Sequence, residues 1–199
     1  DILQCPGCEL VCRSPRPPAA AVTNAYVEDD YTRDHLESEF TLQHRWARSK
    51  VRSLAIHLHP RLPTTPMVLE VGSFVGGFLA AGQEQGWNML GVDPGKEVVA
   101  FCRGRDYPVF CGTLVDAPVA PASLDAVAIW NTFDQLPNPD STLAAARRLL
   151  HQQGLLVVRV PSGQCFRHLI TWGRKLGRPT NTWLDRALAW NNLLGFPYL

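Results

Sequence analysis

The middle of the chain carries a segment whose residue types could bind a nucleotide-like ligand. In Glu70–Leu79, EVGSFVGGFL, an apolar run enters Gly72, and Gly76 and Gly77 follow. Glycines at a strand-to-helix turn let the backbone approach a ligand closely. The next helix would offer free N–H groups and its positive dipole end there. A tight turn that binds nothing has the same glycines, so the segment alone does not decide.

A carboxylate at the right distance strengthens this interpretation. Asp93 lies 21 residues after Gly72, where the next apolar run ends. A carboxylate at the end of a parallel strand can accept hydrogen bonds from both hydroxyls of a ribose. Aspartate before proline is also a common turn residue. Together, the glycines and Asp93 favour a nucleoside-containing ligand more strongly than either feature alone.

The cysteines fall into two groups. Cys5 and Cys8 have the spacing of half a zinc ribbon, and Cys12 follows at a spacing that is unfavourable for a ribbon. A structural zinc site needs four ligands, so we expect an incomplete site, and an unmetallated knuckle is an equal alternative. The others are scattered through apolar segments: Cys102, Cys111 and Cys165. Free cysteines of that kind are common in reducing compartments, which predicts a cytoplasmic location.

The elements that would position these residues alternate between strand and helix. Short apolar runs predict five strands, at 67–71, 89–92, 108–111, 124–130 and 155–160. Helical patterns lie between or before them, at 76–85, 98–102 and 141–150. Asp140 is the predicted N-cap of the last helix. The alternation predicts an α/β fold, a doubly wound parallel sheet with helices on both faces.

Four segments are predicted along the chain. Residues 1–34 hold the cysteine-rich knuckle and a linker, of which 13–21 is a proline-rich connector that we expect to lack regular structure. Residues 35–62 have helical periodicity, and 63–161 form the predicted ligand-binding domain. Residues 162–199 are expected to be a partial helical substrate or cap region without a convincing pair of strands, which would leave an apolar sheet edge exposed.

Composition and charge narrow the function classes. The formal net charge is +1, which gives no general attraction to nucleic acid, so no nucleic-acid partner is expected. No apolar run approaches the roughly 20 residues that span a bilayer, so no membrane partner is expected. The chain lacks an initiating Met and a signal peptide, and we expect it to be a piece of a longer protein, truncated at both ends and inactive alone.

On these residues the chain resembles the class I methyltransferases that use S-adenosylmethionine, in particular the branch with a small zinc-ribbon-like element before a Rossmann-like domain. The resemblance covers residues 66–161 well and 1–34 loosely. The family's acidic residue and alternate glycines fall on Glu70 to Gly76, with Phe74 at the middle glycine position. Its ribose-binding acid falls on Asp93, and Asp125 lies in its fourth-strand pattern.

The resemblance implies a cofactor and its contacts. S-adenosylmethionine is expected to bind at Glu70, Gly72, Ser73, Phe74, Gly76, Asp93, Pro94, Gly112, Thr113, Leu114 and Asn131. Zinc is implied at Cys5 and Cys8. The implied reaction is methyl transfer to a small-molecule acceptor, for example a sugar or another secondary metabolite. Many relatives carry Glu-His after the fourth strand where this chain has Asp134-Gln135, so no general base is assigned.

In this family, helices before the domain cap the cofactor pocket. The same role is implied for the helix within 35–62, together with Tyr26 and Tyr31, although packing against the sheet is the simpler interpretation.

Two other functions stay open at this stage. A nicotinamide-binding Rossmann oxidoreductase also needs glycines and an acid after the second strand, but its Gly-x-Gly-x-x-Gly spacing is not matched by Gly72, Gly76 and Gly77. A module that binds S-adenosylmethionine without catalysis would carry the same motifs. The acceptor, the methylated atom and the oligomeric state are left open by the sequence.

Overall fold

The computed structural model describes residues 2–4, 6–7, 11–13, 18–27, 30–58 and 63–160, together with residues 168, 172, 175 and 177. Its elements in chain order are β1 (Ile2–Gln4), β2 (Val11–Arg13), α1 (Ala19–Val27), α2 (Arg33–Leu58), β3 (Met67–Val71), α3 (Gly77–Glu84), β4 (Asn88–Asp93), α4 (Lys96–Arg103), β5 (Val109–Cys111), β6 (Leu124–Trp130), α5 (Pro139–Leu149) and β7 (Leu150–Arg159). A short 3₁₀ helix, Phe133–Gln135, lies between β6 and α5. None of the helices described is long and apolar enough to cross a membrane.

The N-terminal segment contains a small antiparallel pair, β1 with β2, in which the backbone of Leu3 lies opposite that of Cys12. The predicted zinc ligands Cys5 and Cys8 lie outside the described residues.

The prediction that 13–21 lacks regular structure is wrong at both ends, because β2 includes Arg13 and α1 begins at Ala19. The Pro18 carbonyl accepts hydrogen bonds from the N–H groups of Ala21 (2.9 Å) and Val22 (3.2 Å). Alanine is the best helix former, and the run of alanines after Pro18 therefore overrides the proline-rich composition.

The central sheet confirms the predicted α/β architecture. All five strands are parallel, in the order β5-β4-β3-β6-β7. The chain runs outward from β3 to β5 and then returns to β6 on the other side of β3. The order therefore reverses between β3 and β6, and such a switch point opens a crevice at the carboxyl ends of the strands, where ligands bind in open α/β sheets.

Helices cover both faces of this sheet, as predicted. On one face, α2, α3 and α4 pack on alternate residues of β3 and β6, including Val68 and Ala128. On the other face, α5 buries Ala146 and Leu149 against Leu69 of β3 and its neighbours in β6. The strands β3 and β6 are nearly continuous apolar runs because both of their faces are covered.

Two predicted boundaries are wrong near the last strand. Asn138, not Asp140, caps α5: its Oδ1 accepts from the Ser141 N–H at 3.2 Å, and Pro139 takes the first helical position. Proline suits that position because its missing N–H would be unused there. β7 begins at Leu150 rather than 155, because it continues its ladder with β6 through an irregularity before Leu155.

The outer strand β7 carries exposed apolar side chains. Leu156 and Val158 are each 40% exposed, and Val160, directly after the strand, is 52% exposed. Within the part of the chain that the structure describes, no further strand pairs with β7. The apolar edge expected from the sequence stays a prediction, because most of residues 161–199 lie outside the described residues.

Candidate functional site

The loop between β3 and α3 has the backbone that the glycine motif predicts. Gly72, Phe74 and Gly76 have φ values of +73°, +46° and +78°, so every second residue is left-handed. The loop is tied to β4, since the N–H groups of Gly72 and Ser73 both donate to the Val92 carbonyl, at 2.9 and 3.2 Å. The turn therefore lies directly beside the end of the neighbouring strand.

Two of the loop glycines are required by close contacts. A Cβ on Gly72 would lie 2.6 Å from the side chain of Thr132, which follows β6. A Cβ on Gly77 would lie 2.6 Å from the backbone nitrogen of His44 in α2. The Gln43 side chain also accepts from the Gly77 N–H at 2.7 Å, and so caps the N-terminus of α3 from outside the helix.

Phe74, at the position where the resemblance expects the middle glycine, has the left-handed backbone typical of glycine. Its ring meets Tyr31 edge-on, with centroids 5.6 Å apart, and packs with Leu36 and Val98. A left-handed conformation costs a non-glycine residue roughly 1–2 kcal/mol. Packing of the aromatic ring offsets that strain. The loop thus keeps a left-handed residue at this position, and the Phe74 ring attaches the loop to Tyr31 and to the start of α2.

Asp93 lies where the sequence predicted, at the end of β4, and it holds the loop. One carboxylate oxygen accepts from the Phe74 N–H at 2.8 Å and the other from the Gly95 N–H at 2.9 Å. Burial raises the pKa of Asp93, and these two backbone N–H groups act to lower it. A carboxylate has about four lone-pair sites, so Asp93 can accept further hydrogen bonds from a ligand.

Beneath the loop lie two buried polar atoms without a hydrogen-bond partner among the described residues: Glu70 Oε2 and Ser73 Oγ. Glu70 is opposite Gly91 in the β3–β4 register, and a Cβ on Gly91 would lie 2.9 Å from Ser73 Oγ. Burial raises the pKa of Glu70 well above its ordinary value, and the negative charge of Asp93 adds to the shift. Orphaned buried polar atoms indicate that a ligand or a bound water completes this region.

A buried thiol completes the underside of the loop. Cys102 Sγ lies 3.1 Å from the Phe74 carbonyl oxygen, and burial raises the pKa of this thiol to about 12. It is therefore a neutral packing group and not a nucleophile.

The predicted residues after β5 lie beside Asp93. The Gly112 N–H donates to the Asp93 carbonyl at 2.9 Å, and Thr113 Oγ1 donates to Asp116 at 2.7 Å. The Cys111 thiol lies 3.9 Å from the Pro94 carbonyl oxygen. Leu114 is fully buried and packs in the core.

The β6 side of the crevice contains a hydrogen-bond network that the sequence did not predict, although Asn131 was among the predicted cofactor contacts. Asn131 follows β6 with a left-handed φ of +53°, and its side-chain oxygen accepts from Arg159 Nη1. Gln135 donates to the Asn131 carbonyl at 2.9 Å and accepts from the Tyr26 hydroxyl at 2.7 Å. The only sequence signal for Arg159 was its position at the end of the fifth predicted strand.

α1 lies across the carboxyl edge of the sheet. The carbonyl oxygen of Tyr26 is close to Gly95, where a Cβ would lie 3.2 Å from it, while the Tyr26 hydroxyl reaches Gln135. Tyr26 thus contacts both the end of β4 and the turn after β6. The long helix α2 packs on the sheet instead, with Ala47 and Val51 in the core.

Other features do not belong to this crevice. No group of three metal-ligating side chains occurs among the residues that the structure describes. A cleft of about 520 Å³ follows α2, and its described lining residues are Phe40, Thr41, His44, Arg45, Arg48, Ser49 and Arg52. That lining includes neither the glycine loop nor Asp93.

The part of the chain that forms the central sheet matches a known protein domain. Residues 69–158 match a family model described as a methyltransferase domain. No curated protein sequence matches the chain.

Two of the similar solved structures, those with TM-scores above 0.5, show the same fold. A putative S-adenosyl-L-methionine-dependent methyltransferase from Methanococcus maripaludis is 10% identical with a TM-score of 0.55, covering 66% of this chain and 65% of that one. DesVI from Streptomyces venezuelae is 17% identical with a TM-score of 0.54, covering 65% and 58%. A possible histamine N-methyltransferase from Thermotoga maritima is 25% identical with a TM-score of 0.48, covering 61% and 55%. The chain therefore spans between half and two thirds of these structures.

Proposed function

We propose that this chain transfers a methyl group from S-adenosylmethionine to a small-molecule acceptor. Two findings support the proposal: residues 69–158 match a family model described as a methyltransferase domain, and the parallel sheet has the strand order of a Rossmann-like fold. A sugar or another secondary metabolite is the proposed kind of acceptor. The near-neutral charge balance of the chain supports a small molecule over a nucleic acid.

One observation carries the proposal. Asp93 and the glycine loop form a single unit, joined by the hydrogen bond from the Phe74 N–H, at the point where the strand order reverses. A carboxylate beside a close-approach loop at a switch point suits a nucleoside with free ribose hydroxyls. The orphaned polar atoms of Glu70 and Ser73 beneath the loop fit a ligand that brings hydrogen-bonding groups.

The chain's own task in such a reaction is to position the reactants. S-adenosylmethionine supplies a methyl group on a sulfonium, which is already a good leaving group, so alignment provides most of the catalysis. Asp93 and the loop would hold the nucleoside, and Asn131 and Gln135 would line the acceptor side. Gln135 is bonded on both sides and cannot take up a proton.

A proton acceptor is needed only for some acceptors, such as a hydroxyl. Asp134 lies on the same 3₁₀ turn, and burial raises its pKa, which makes it a stronger base than an ordinary aspartate. The fixed hydrogen bonds of Gln135 favour a second candidate, a module that binds S-adenosylmethionine without turnover.

Calorimetric titration with S-adenosylhomocysteine and with NADH tests the proposal. We expect the chain, or its full-length parent, to bind S-adenosylhomocysteine and to ignore NADH. Tighter binding of NADH would instead identify a nicotinamide site. Binding of S-adenosylhomocysteine without turnover by the full-length protein, on a panel of acceptors, would support the non-catalytic module.

Asp93→Asn is the sharpest variant for this titration, because it removes the charge, keeps the shape of the side chain and keeps one acceptor oxygen for one of the two backbone N–H groups. Loss of hydrogen bonds to a charged group, about 1.5–3 kcal/mol, corresponds to weaker binding by roughly ten- to a hundredfold. Asp106→Asn is the matched control, since Asp106 is exposed and Asn tolerates its left-handed φ of +61°. Equal affinities for the two variants would remove Asp93 from the binding site.

Zinc bound through Cys5 and Cys8, and a cytoplasmic location, stay predictions. Metal analysis of the full-length protein beside a Cys5→Ser, Cys8→Ser variant tests the first.

A further inference from the structure

The outer face of α2 carries a regular line of exposed side chains, which we call the α2 stripe. Its five members are spaced alternately three and four residues apart: Leu42, Arg45, Ser49, Arg52 and Ile56. The two apolar ends of the stripe are 46% and 67% exposed. Side chains at this spacing lie along one line of a helix, which is the arrangement that lets a second helix pack against the first.

We propose that the α2 stripe is a docking surface for an acidic amphipathic helix of a partner protein. The stripe is about 21 Å long, because a helix rises about 1.5 Å per residue from Leu42 to Ile56. A partner helix of about four turns covers it, with apolar side chains over the two ends and carboxylates over the arginines between them. The inference is independent of the proposed methyl transfer.

The fold itself does not account for the arginines of the stripe. α2 packs on the sheet through its opposite face. Arg48, beside the stripe, pairs with Glu84 of α3, with its Nε 3.3 Å from a carboxylate oxygen. Arg45 and Arg52 form no ion pair with any residue that the structure describes. The helix dipole stabilises cations only within the last turn, and both arginines lie before the last turn of α2, which ends at Leu58.

Charge determines the chemistry of the partner. Arg45, Arg48 and Arg52 all line the cleft of about 520 Å³ that follows α2, so one surface gathers three guanidinium groups. A guanidinium matches a carboxylate through two parallel hydrogen bonds, and arginine is enriched at protein interfaces. Ser49, at the centre of the stripe, is small, and its hydroxyl donates to a carbonyl of its own helix at 2.8 Å. A second helix can therefore approach closely between the two arginines.

Other occupants fit this surface less well. A second copy of the chain, packed antiparallel so that Leu42 meets Ile56, would bring the arginines of the two stripes together, and like charges repel. Residues 161–199 of this chain contain five Lys and Arg residues and one acidic residue, so they lack the carboxylates that the stripe requires. The formal net charge of +1 gives no general attraction to nucleic acid, and phosphates would leave the apolar ends of the stripe uncovered.

A synthetic peptide tests the surface directly. The probe is a labelled helical peptide of about 18 residues, with leucine at both ends of one face and glutamate between them at the spacing of the stripe. In fluorescence anisotropy we expect the chain to bind this peptide with an affinity that falls as the salt concentration rises. The same peptide with lysine in place of every glutamate should not bind.

Charge reversal then locates the binding surface. Arg45→Glu combined with Arg52→Glu should weaken binding of the glutamate peptide by about tenfold or more, because ion pairs become like-charge contacts. The same variant should gain binding of the lysine peptide. Leu42→Ser combined with Ile56→Ser should weaken binding of the glutamate peptide by about threefold or more, since the apolar ends no longer bury surface.

The matched control is Arg147→Glu combined with Arg148→Glu, at two exposed arginines of α5 on the other face of the sheet. It changes the net charge equally and should bind the glutamate peptide within about twofold of the wild type, because distant charges are screened. Thermal unfolding checks each variant. If the charge-reversed stripe does not fold, Arg45→Gln combined with Arg52→Gln carries the comparison, with a smaller loss of affinity.

Four results would overturn the inference. They are a wild type that does not bind the glutamate peptide, equal binding by the wild type and the charge-reversed variant, and tighter binding of a single-stranded RNA or of phosphatidylserine vesicles through Arg45 and Arg52. The fourth is a dimer in sedimentation analysis that Leu42→Ser with Ile56→Ser dissociates, which would make a second copy of the chain the occupant.

Discussion

Glu70 makes the stability of the chain depend on pH in an unusual direction. Its side chain is 1% exposed, and one of its carboxyl oxygens has no partner among the described residues. Burial, and secondly the charge of Asp93, raise the pKa of Glu70 well above 4.5. The folded chain therefore retains a proton on Glu70 at pH values where the unfolded chain has lost it.

The consequence is a loss of stability as the pH rises. The contribution of Glu70 is complete below its unfolded pKa near 4.5 and declines from there up to the raised folded pKa. Within that window the free energy of unfolding falls by up to about 1.4 kcal/mol per pH unit. Asp93, whose pKa is also raised, adds a decline of the same sign. Glu70→Gln cannot ionise, so it should remove the larger part of the slope.

Urea unfolding between pH 4.5 and 8 measures this difference. We expect the stability of Glu70→Gln relative to the wild type to increase steadily from pH 4.5 until the folded pKa is reached. Glu97→Gln, at an exposed glutamate of α4, is the control and should follow the wild-type profile. A constant offset between Glu70→Gln and the wild type at all pH values would mean that Glu70 is ionised in the folded chain, and the burial argument would then be wrong.

Three further predictions concern the loop and α1. Phe74→Gly should be more stable than Phe74→Ala by about 1 kcal/mol in urea unfolding, because both lose the ring and only glycine relieves the φ of +46°; the reverse order would exclude a left-handed residue there. Gly72→Ala should destabilise the chain by about 2 kcal/mol or more. Adding Thr132→Ala should restore part of that loss, because it removes the side-chain atoms that lie 2.6 Å from the new Cβ. Additive effects of the two substitutions in a double-mutant cycle would contradict this contact. Tyr26→Phe removes the hydrogen bond to Gln135, worth about 1 kcal/mol, so limited proteolysis within α1 should become several-fold faster; an unchanged rate would show that this bond does not hold α1.

The sheet was predictable because its signals are local. β3 and β6 are apolar runs with the observed limits, and alternation with helices implied parallel pairing. The start of β7 was not predictable, since residues 150–154 join the strand through pairing with β6 rather than through their own composition. Asn138 caps α5 although Asp140 was an equally plausible residue type, and Pro139 decides between them by fixing the first turn.

Within the candidate site, the spacing of glycines and acidic residues in the sequence predicted those residues that shape or hold the backbone of the loop. Gly72, Gly76 and Asp93 follow from the strand–turn–helix pattern alone. The network on the β6 side of the crevice depends on side chains far apart in the sequence: Tyr26 and Gln135 are 109 positions apart, and Asn131 and Arg159 are 28 positions apart. No periodicity encodes such pairs, so only the fold reveals them.

Phe74 shows that a residue other than glycine can adopt the left-handed conformation that the loop requires. Glycine reaches a left-handed φ at no steric cost, which is the usual reason for its presence in such loops. Here the same φ is held by contacts: the Phe74 N–H donates to Asp93, its carbonyl faces Cys102, and its ring packs on Tyr31. These contacts join the loop to β4, to α4 and to the segment before α2. The shape of the loop therefore depends on how all three pack against it. Asp93 consequently serves both the loop and its proposed ligand, so that binding and stability are coupled through one carboxylate.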